Sequence, residues 1–391
     1  MVFGLLDRGG PSEAIVAKPA VGLRFSAGGG GGPGGVAGGL ADAASAALGI
    51  GGGTAPLVDK LVSLRVRRGL APQVDFVELL IAPRDWAASD FTPPLAVGNI
   101  GVVELGLAAD GLVKVFTCEV DAIELRGAGL LRATATNGGR KLAQLRLNQS
   151  YTNQKPGDII ADLAGAAGVD ATDASGTGEA LPRYAIDDRQ PIYDSIAELA
   201  VAAGRLAAFD ADGKLALLDH AAPGEVAATL VYGTDIVDFV LADRSAHAGE
   251  ITVQGAGAPD AAGNNTWAWL RKEVGPDGAV TGEGPLKRRY AAPGARSPEA
   301  VAQRAASAVQ AAERVRSLSR LRVHGAPGLA PGSLVAVENV PGGLGNGEYV
   351  VTRLQHGFDA ETGLVTDLWV SRLGQGGDLL GSLLGAIGGL L

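Results

Sequence analysis

The side chains of this sequence that could carry out acid–base or nucleophilic chemistry are few and widely separated. His247 and Glu250 come closest to an acid–base pair, but they lie in SAHAGEIT, where a surface histidine at the start of a strand is the better interpretation. Cys118 lies in the strand-like segment VFTCEV, which favours a buried thiol over a nucleophile. The other histidines are far apart along the chain: His220, His324 and His356.

The common catalytic and ligand-binding motifs are missing. The sequence has no GxxxxGK[ST] phosphate loop, no HExxH pair and no GxSxG nucleophile elbow. FDADGK (209–214) resembles the start of a calcium loop, but it lacks the third ligand before the glycine and the glutamate at position 12, so it predicts a hairpin turn. We therefore expect no catalytic, cofactor-binding or metal-ligating residues, and the pattern favours a multidomain binding or assembly protein.

Composition excludes further classes of protein. The 33 Lys and Arg against 42 Asp and Glu give a net charge of −9, which argues against specific nucleic-acid binding because that needs cations to displace counterions. A single cysteine excludes an intrachain disulfide and a Cys-based zinc site. No basic region precedes an apolar run at the N-terminus, and no run reaches about 18 apolar residues, so neither a secretory signal nor a spanning helix is expected.

Charge is segregated along the chain. Residues 125–157 hold six cations and no acid, residues 158–238 hold 15 acids against four cations, and residues 286–322 hold nine cations against two acids. Such blocks are either docking surfaces with complementary fields or solvated faces.

The two ends of the chain are rich in glycine. Of the 60 glycines, 17 fall in residues 1–55 and 7 in residues 374–391. We expect residues 1–55 to be a flexible arm, with folded sequence beginning near Pro56. The Gly/Leu-rich tail, residues 373–391, is either a docking segment or a frayed end.

Between these ends the hydrophobic period changes twice. Residues 56–152 read as short strands, as in the alternating LVSLRVRRG, and predict a first tube-like β-barrel domain. Residues 153–228 carry two segments with helical spacing and predict a small α/β domain. Residues 229–372 return to strands, with one long helix at 297–317, and predict a second tube-like β-barrel domain. The expected fold class is β-rich α+β: two tube-like β-barrel domains flanking a small α/β insert, with Gly-rich flexible termini.

Three segments together resemble one protein family. LNQSYTNQKPGDIIADLAGAAGV (147–169) is similar to the strand-to-helix signature of phage late control protein D and of the hub part of VgrG proteins. RYAIDDRQPIYDSIAELAVAAGRLAAFDADGKLALLD (183–219) resembles the segment that follows, and GLAPGSLVAVENVPGGLGNGEYVVTRLQHGFDAETGLVTDLWVS (328–371) resembles the closing strands. The resemblance spans residues 57–372, in the same order as the domains above.

This resemblance implies a baseplate hub, without catalysis or cofactor, of a contractile phage tail or contractile injection system. Such hubs are trimers in which each chain supplies two tube-like barrels, so that a threefold spike can meet a sixfold tube. The implied partners are two more copies of this chain, a separate spike protein of VgrG or needle type, an inner tube ring and other baseplate proteins. The implied location is a phage tail or tail-like particle assembled in the bacterial cytoplasm.

The sequence departs from the family pattern in two places. The helix at 192–203 lacks the aromatic residue that family members often place before their Leu-Ala pair, and nothing after residue 372 matches the OB-fold and needle of a full VgrG. Two other functions remain open: a tail-associated cell-wall hydrolase with a diverged active site, and a Gly-rich secreted surface protein. The missing catalytic constellations count against the first, and the missing signal sequence counts against the second.

Overall fold

The computed structural model describes residues 19–26, 61–82, 95–107, 111–219, 224–242, 250–255, 279–281, 287–292, 295, 298–343, 345–359 and 362–372. These residues form mostly β-sheet with few helices, as the composition and periodicity predict. None of the helices among them is long and apolar enough to cross a membrane.

The first six strands form one half of the main sheet. They are β1 (Pro19–Ser26), β2 (Leu61–Gly69), β3 (Phe76–Ile81), β4 (Ile100–Leu107), β5 (Gly111–Arg126) and β6 (Leu130–Thr136). Their order across the sheet is β1-β4-β5-β6-β3-β2, and every neighbouring pair is antiparallel. We call these strands the first unit. Its core is mainly aliphatic, since only 5% of the residues in the chain are aromatic, and Leu64, Val103 and Phe116 are buried in it.

Strand β1 lies inside the glycine-rich segment 1–55, so the expectation that folded sequence begins near Pro56 is wrong for these eight residues. It pairs with β4 along its whole length, from Pro19 opposite Leu107 to Ser26 opposite Ile100. Its side chains Leu23 and Phe25 enter the core. Because glycine dominates the surrounding composition, the short alternation in VGLRFS is easily overlooked.

A mixed α/β insert follows the first unit. Its elements are α1 (Gly139–Gln144), β7 (Gln149–Gln154), α2 (Pro156–Ala166), β8 (Ala171–Thr172), β9 (Leu181–Ile186), α3 (Ile192–Ala202), β10 (Arg205–Phe209) and β11 (Leu215–Asp219). The apolar spacing places Ile160, Leu163 and Ile196 in one buried core between α2 and α3. Both helices expected from the sequence are present. The carboxylate of Asp158, in the first turn of α2, accepts a hydrogen bond from the Gly176 amide at 2.9 Å.

The remaining strands of the main sheet form a second unit. They are β12 (Val226–Val231), β13 (Ile236–Val240), β17 (Ser319–His324), β18 (Leu334–Glu338), β19 (Gly347–Asp359) and β20 (Gly363–Arg372). The part of the chain that connects β13 to β17 contains a separate three-stranded sheet, formed by β14 (Glu250–Gly255), β15 (Ala279–Thr281) and β16 (Lys287–Ala292). The expected long helix, α4 (Pro298–Arg316), packs on that sheet through Val301 and Ala305.

The two units share one strand order. The second unit runs β12-β18-β19-β20-β17-β13, so strands counted from one to six in each unit follow the order one, four, five, six, three, two. The β-bulges match as well: the second strand bulges at Val62 and at Val237, and the fifth strand bulges at Asp121 and at Thr352. The units differ at the first strand, which is antiparallel to the fourth in the first unit and parallel in the second.

The units are joined rather than separate. Strand β19 is 13 residues long, and it pairs with β18 through its first part and with β2 through its second part. The result is a single 12-stranded sheet, and no strand pair among the described residues closes either unit into a barrel. The prediction of two tube-like β-barrel domains is therefore not confirmed: the described strands form two six-strand units within one sheet, and a strand edge left open by one unit is paired by the other.

Candidate functional site

The seam between the two units is formed by β2 and β19. Seven residue pairs meet there, from Ser63 opposite Asp359 to Gly69 opposite Arg353. On the inner face Val66 lies opposite His356, and both side chains have 0% exposure. On the outer face the Arg67 guanidinium donates to the Gln355 side-chain oxygen at 2.9 and 3.3 Å. The seam is thus a buried strand pairing with a polar outer side.

The outer face continues as a row of mostly polar side chains across seven strands, which we call the polar row. From β6 to β13, its members lie opposite one another in the order Thr136, Phe76, Arg67, Gln355, Asp367, Arg322 and Asp238. The Asp367 carboxylate accepts hydrogen bonds from Arg322 at 2.9 and 3.0 Å and from Arg320 at 3.0 Å. Burial by itself would raise the pKa of Asp367, but these hydrogen bonds outweigh burial and hold its pKa below the ordinary value.

Beneath the seam a buried polar cluster ties the first unit to the α/β insert. The Arg68 guanidinium donates to the Phe209 carbonyl of β10 at 2.8 Å. The Asp75 carboxylate accepts from the Gly69 amide at 2.8 Å and from the Asn137 side chain at 3.0 Å. Burial raises the pKa of Asp75 to about 7, against the opposing effects of Arg68, Gly69 and Asn137. The cluster positions the insert, because Arg68 and Asp75 are each held by a buried backbone group: the Phe209 carbonyl and the Gly69 amide.

His356 is a buried structural residue in the seam. Its Nδ1 lies 2.9 Å from the Thr366 hydroxyl, which donates to the Gly325 carbonyl. Burial, together with the nearby positive charge of Arg68, lowers the pKa of His356 to about 3. A ring that is neutral at physiological pH and closed to solvent suits packing rather than proton transfer.

The residues singled out for chemistry do not come together. Of the four histidines, His220 and His247 lie outside the described residues. The Glu250 carboxylate pairs with the Lys287 ammonium at 2.9 Å. Within the described ranges, no group of three or more His, Cys, Asp or Glu side chains is placed to hold a metal ion.

Two local predictions are confirmed. Cys118 is buried, its Sγ lies 3.6 Å from the Gly101 carbonyl, and burial raises the pKa of its thiol to about 12. FDADGK forms the turn between antiparallel β10 and β11, where Asp210 accepts from the Lys214 amide at 2.9 Å and Gly213 has φ of +79°. A φ of this sign favours glycine, which is why the Asp-Gly pair predicts the turn.

The basic block at 125–157 is largely neutralised within the chain. Four of its six cations pair with acids of β3 and β5: Arg126 with Glu124, Arg132 with Glu78, Arg140 with Asp121, and Lys141 with Glu119. All four acids precede residue 125 in the chain, so residues 125–157 look more basic in the sequence than they are in the fold.

A groove of about 700 Å³ lies between α3, β9 and β16. Its walls are mainly apolar, and its polar positions are held by Arg183, Tyr184, Glu198, Tyr290 and Arg304. Burial lowers the pKa of Arg304, although Tyr184 and Glu198 favour its charged form. This arrangement is suited to binding, since an apolar wall with a few oriented polar groups is typical of recognition sites.

Comparisons with known proteins give a consistent fold. No protein-family profile matches the sequence, and no curated protein matches it. The chain is similar to the 43 kDa tail protein of prophage MuSo2 from Shewanella oneidensis, with a TM-score of 0.61, 17% identity and coverage of 80% of this chain and 94% of that one. It is also similar to a tail protein from Neisseria meningitidis, with a TM-score of 0.61, 13% identity and coverage of 91% and 97%. A component of the type VI secretion system of Escherichia coli is more distant, with a TM-score of 0.47, 12% identity and coverage of 81% and 74%.

The likeness to the two tail proteins covers nearly their whole length at low identity. Similarity of this kind shows the fold, which for this chain is that of a phage tail protein.

Proposed function

We propose that this chain is a structural baseplate hub of a contractile phage tail or contractile injection system. The observation that carries the proposal is the pair of units with one strand order and matching bulges in a single chain. The whole-length likeness to two phage tail proteins supports it. The resemblance of residues 147–169, 183–219 and 328–371 to phage late control protein D and VgrG hubs selects the hub among tail components.

The mechanism is an adaptation of symmetry. Three copies of a chain with two similar units present six similar units, so one side of the ring meets a sixfold tube while the whole has threefold symmetry. A closed ring of this kind needs heterologous contacts between neighbouring copies. The proposed partners are therefore two further copies, a separate spike protein, an inner tube ring and other baseplate proteins. The protein acts without catalysis, in a particle assembled in the bacterial cytoplasm.

The test is the mass of the purified full-length chain and its presence in particles. We expect light scattering to give three chains per assembly, and we expect labelled antibody to locate the chain at the baseplate end of isolated particles. Deleting the encoding sequence should leave particles without a tube. A chain that stays monomeric at micromolar concentration and is missing from particles would contradict the proposal.

The alternative of a cell-wall hydrolase predicts a different result. We expect no release of soluble fragments when the full-length chain is incubated with purified peptidoglycan, because the sequence has no paired nucleophile and base. The matched control is the His247→Ala chain, together with an authentic lysozyme as a positive reference. Fragment release by the parent chain that is lost in His247→Ala would establish the hydrolase instead.

A further inference from the structure

The apolar groove between α3, β9 and β16 is bordered by open strand edges. Within the part of the chain that the structure describes, β9 pairs only with β7, and β16 pairs only with β14. Residues 183–185 of β9 and residues 290–292 of β16 line the groove. Because successive side chains of a strand point to opposite faces, three consecutive lining residues indicate that the edge of each strand borders the groove. Such an edge offers unpaired N–H and C=O groups to an extended segment.

The walls of the groove suit an uncharged, apolar segment. Apolar surface comes from residues that include Ala71, Leu199, Val201, Val253 and Ala308. Arg304 is half-buried in the groove, and its guanidinium makes no hydrogen bond to another described residue. Only the nearby Tyr184 and Glu198 favour its charged form. The free N–H groups of Arg304 can therefore donate to backbone carbonyls of a segment that lies along the groove.

The chain leaves the described structure close to this groove. The last described residue is Arg372 at the end of β20, and its amide donates to the hydroxyl of Ser317, the residue after α4, at 3.2 Å. Arg304 and Ala308, the groove residues of α4, precede Ser317 by 13 and 9 positions. At about 1.5 Å per residue, these positions lie roughly 20 and 14 Å from Ser317 along the helix. An extended chain covers about 3.3 Å per residue, so residues 373–378 are long enough to span about 20 Å.

The next segment of the chain, residues 379–391, has the composition that this groove accommodates. Its sequence LLGSLLGAIGGLL holds six leucines, one isoleucine, one alanine, four glycines and one serine, and no charged side chain. It contains no proline, so every residue has a backbone N–H that can pair with a strand edge. Its leucine and isoleucine side chains gain the free energy of burial when they leave water for an apolar wall.

We propose that residues 379–391 lie in the groove of their own chain, extended along the open edges of β9 and β16, with backbone carbonyls that accept from Arg304. The α/β insert supplies the α3 and β9 walls, and the three-stranded sheet with α4 packed on it supplies the opposite wall. The segment therefore joins these two parts, in addition to the hydrogen bond from the Gln303 side chain to the Ala203 carbonyl at 2.8 Å. This inference goes beyond the proposed hub function and does not depend on it.

A photo-crosslinker in the wall of the groove identifies the occupant in the full-length chain. Ala185→p-benzoylphenylalanine places the crosslinker at an exposed position of β9 that lines the groove. Ala306→p-benzoylphenylalanine is the matched control, because Ala306 is exposed on α4 but is not among the groove residues. On irradiation we expect the first variant to join residues 379–391 within one chain, and the control not to do so. Mass spectrometry of proteolytic fragments identifies the joined segment, and a denaturing gel separates intrachain from interchain products.

Several results would overturn the proposal. They are a cross-link from position 185 to another segment, to a second copy or to a different protein, the absence of any cross-link, and equal yields of the product with residues 379–391 from both positions. Each of these leaves the proposed hub intact, since the hub is tested by the mass of the chain and its presence in particles.

Charge substitution in the segment gives an independent measurement. Ala291→Cys places a thiol at an exposed position on the β16 wall. In this background, Leu383→Glu with Leu384→Glu should raise the rate of reaction with a maleimide at least tenfold, because a carboxylate is costly to bury against apolar walls. Gly376→Glu with Gly377→Glu is the matched control: it adds the same charge to the connecting residues 373–378 and should leave the rate unchanged.

A peptide tests whether the segment itself provides the protection. A synthetic peptide of residues 379–391, with lysines added for solubility, should slow the reaction of the Leu383→Glu, Leu384→Glu chain again. Buried Cys118 does not compete for the reagent. Equal reaction rates in the two charged variants, or a peptide without effect, would contradict the proposal. Protection of the parent chain that weakens on tenfold dilution would also contradict it, because the segment would then come from another copy.

Discussion

Two buried titratable groups near the seam respond to pH in opposite directions. The pKa of Asp75 is about 7 in the fold against 3.8 in the unfolded chain, so the folded state holds an extra proton between these values. Its contribution to stability is complete below about pH 4 and is lost as pH rises to 7. The pKa of His356 is about 3 against 6.5, so its contribution is complete above 6.5 and is lost as pH falls towards 3. Between pH 4 and 6.5 the opposite pH dependences of Asp75 and His356 largely cancel in the free energy of unfolding.

Asp75→Asn should separate these effects. The variant loses the titrating carboxyl, so its deficit in the free energy of unfolding relative to the parent should be largest near pH 4 and shrink as pH rises. The deficit should shrink by up to about 1.4 kcal/mol per pH unit, or roughly 4 kcal/mol in total as the pH rises from 4 to 7. Urea unfolding of both chains at pH 4.5, 5.5 and 6.5 measures it. A deficit that is constant over this range would show that Asp75 does not titrate there.

At the residue scale the sequence predicts which side chains are buried better than it predicts which residues they contact. Alternation in LVSLRVRRG places Leu64, Val66 and Arg68 on one face, and all three are buried. It also places Leu61 on the polar face, which is wrong, because the bulge at Val62 turns Leu61 inward. The partners of Arg67 and Arg68 lie 288 and 141 residues away, and no local pattern carries that information.

At the scale of elements, helices follow from sequence most directly. The apolar spacing and the glycines after α2 and α3 predict both helices, since Gly168 and Gly204 have φ of +68° and +71°. Strands are predicted where alternation is long, as in β2 and β5. Strand β1 is missed because its eight residues are surrounded by low-complexity sequence, and only pairing with β4 makes it a strand.

Gly204→Ala should destabilise the contact between α3 and α4. A side chain at that φ costs about 1–2 kcal/mol, and its Cβ would clash with the Gln303 side chain, which donates to the Ala203 carbonyl at 2.8 Å. Gly165→Ala is the matched control: Gly165 lies within α2 with open space around it, and alanine there should stabilise by about 0.5–1 kcal/mol. Thermal unfolding of both variants measures the two shifts. Shifts of the same sign would refute the assignment of Gly204 as a helix stop.

At the scale of the whole molecule, the order strand, helix, strand is readable from sequence, but the joining of the units is not. The pairing of β2 with β19 brings together residues nearly 300 positions apart, and nothing in either strand specifies the other beyond a compatible alternation.

Strand β1 tests how far the glycine-rich N-terminal segment belongs to the fold. A chain without residues 1–26 loses Leu23 and Phe25 from the core, whereas a chain without residues 1–18 keeps them. Burying two such side chains is worth about 3–6 kcal/mol, so the longer truncation should have the lower thermal midpoint. It also uncovers the edge of β4, which should make the chain prone to aggregation on heating. Differential scanning calorimetry and light scattering of the two truncations compare these effects directly. Equal midpoints would show that β1 adds nothing to the sheet, and that folding does begin near Pro56.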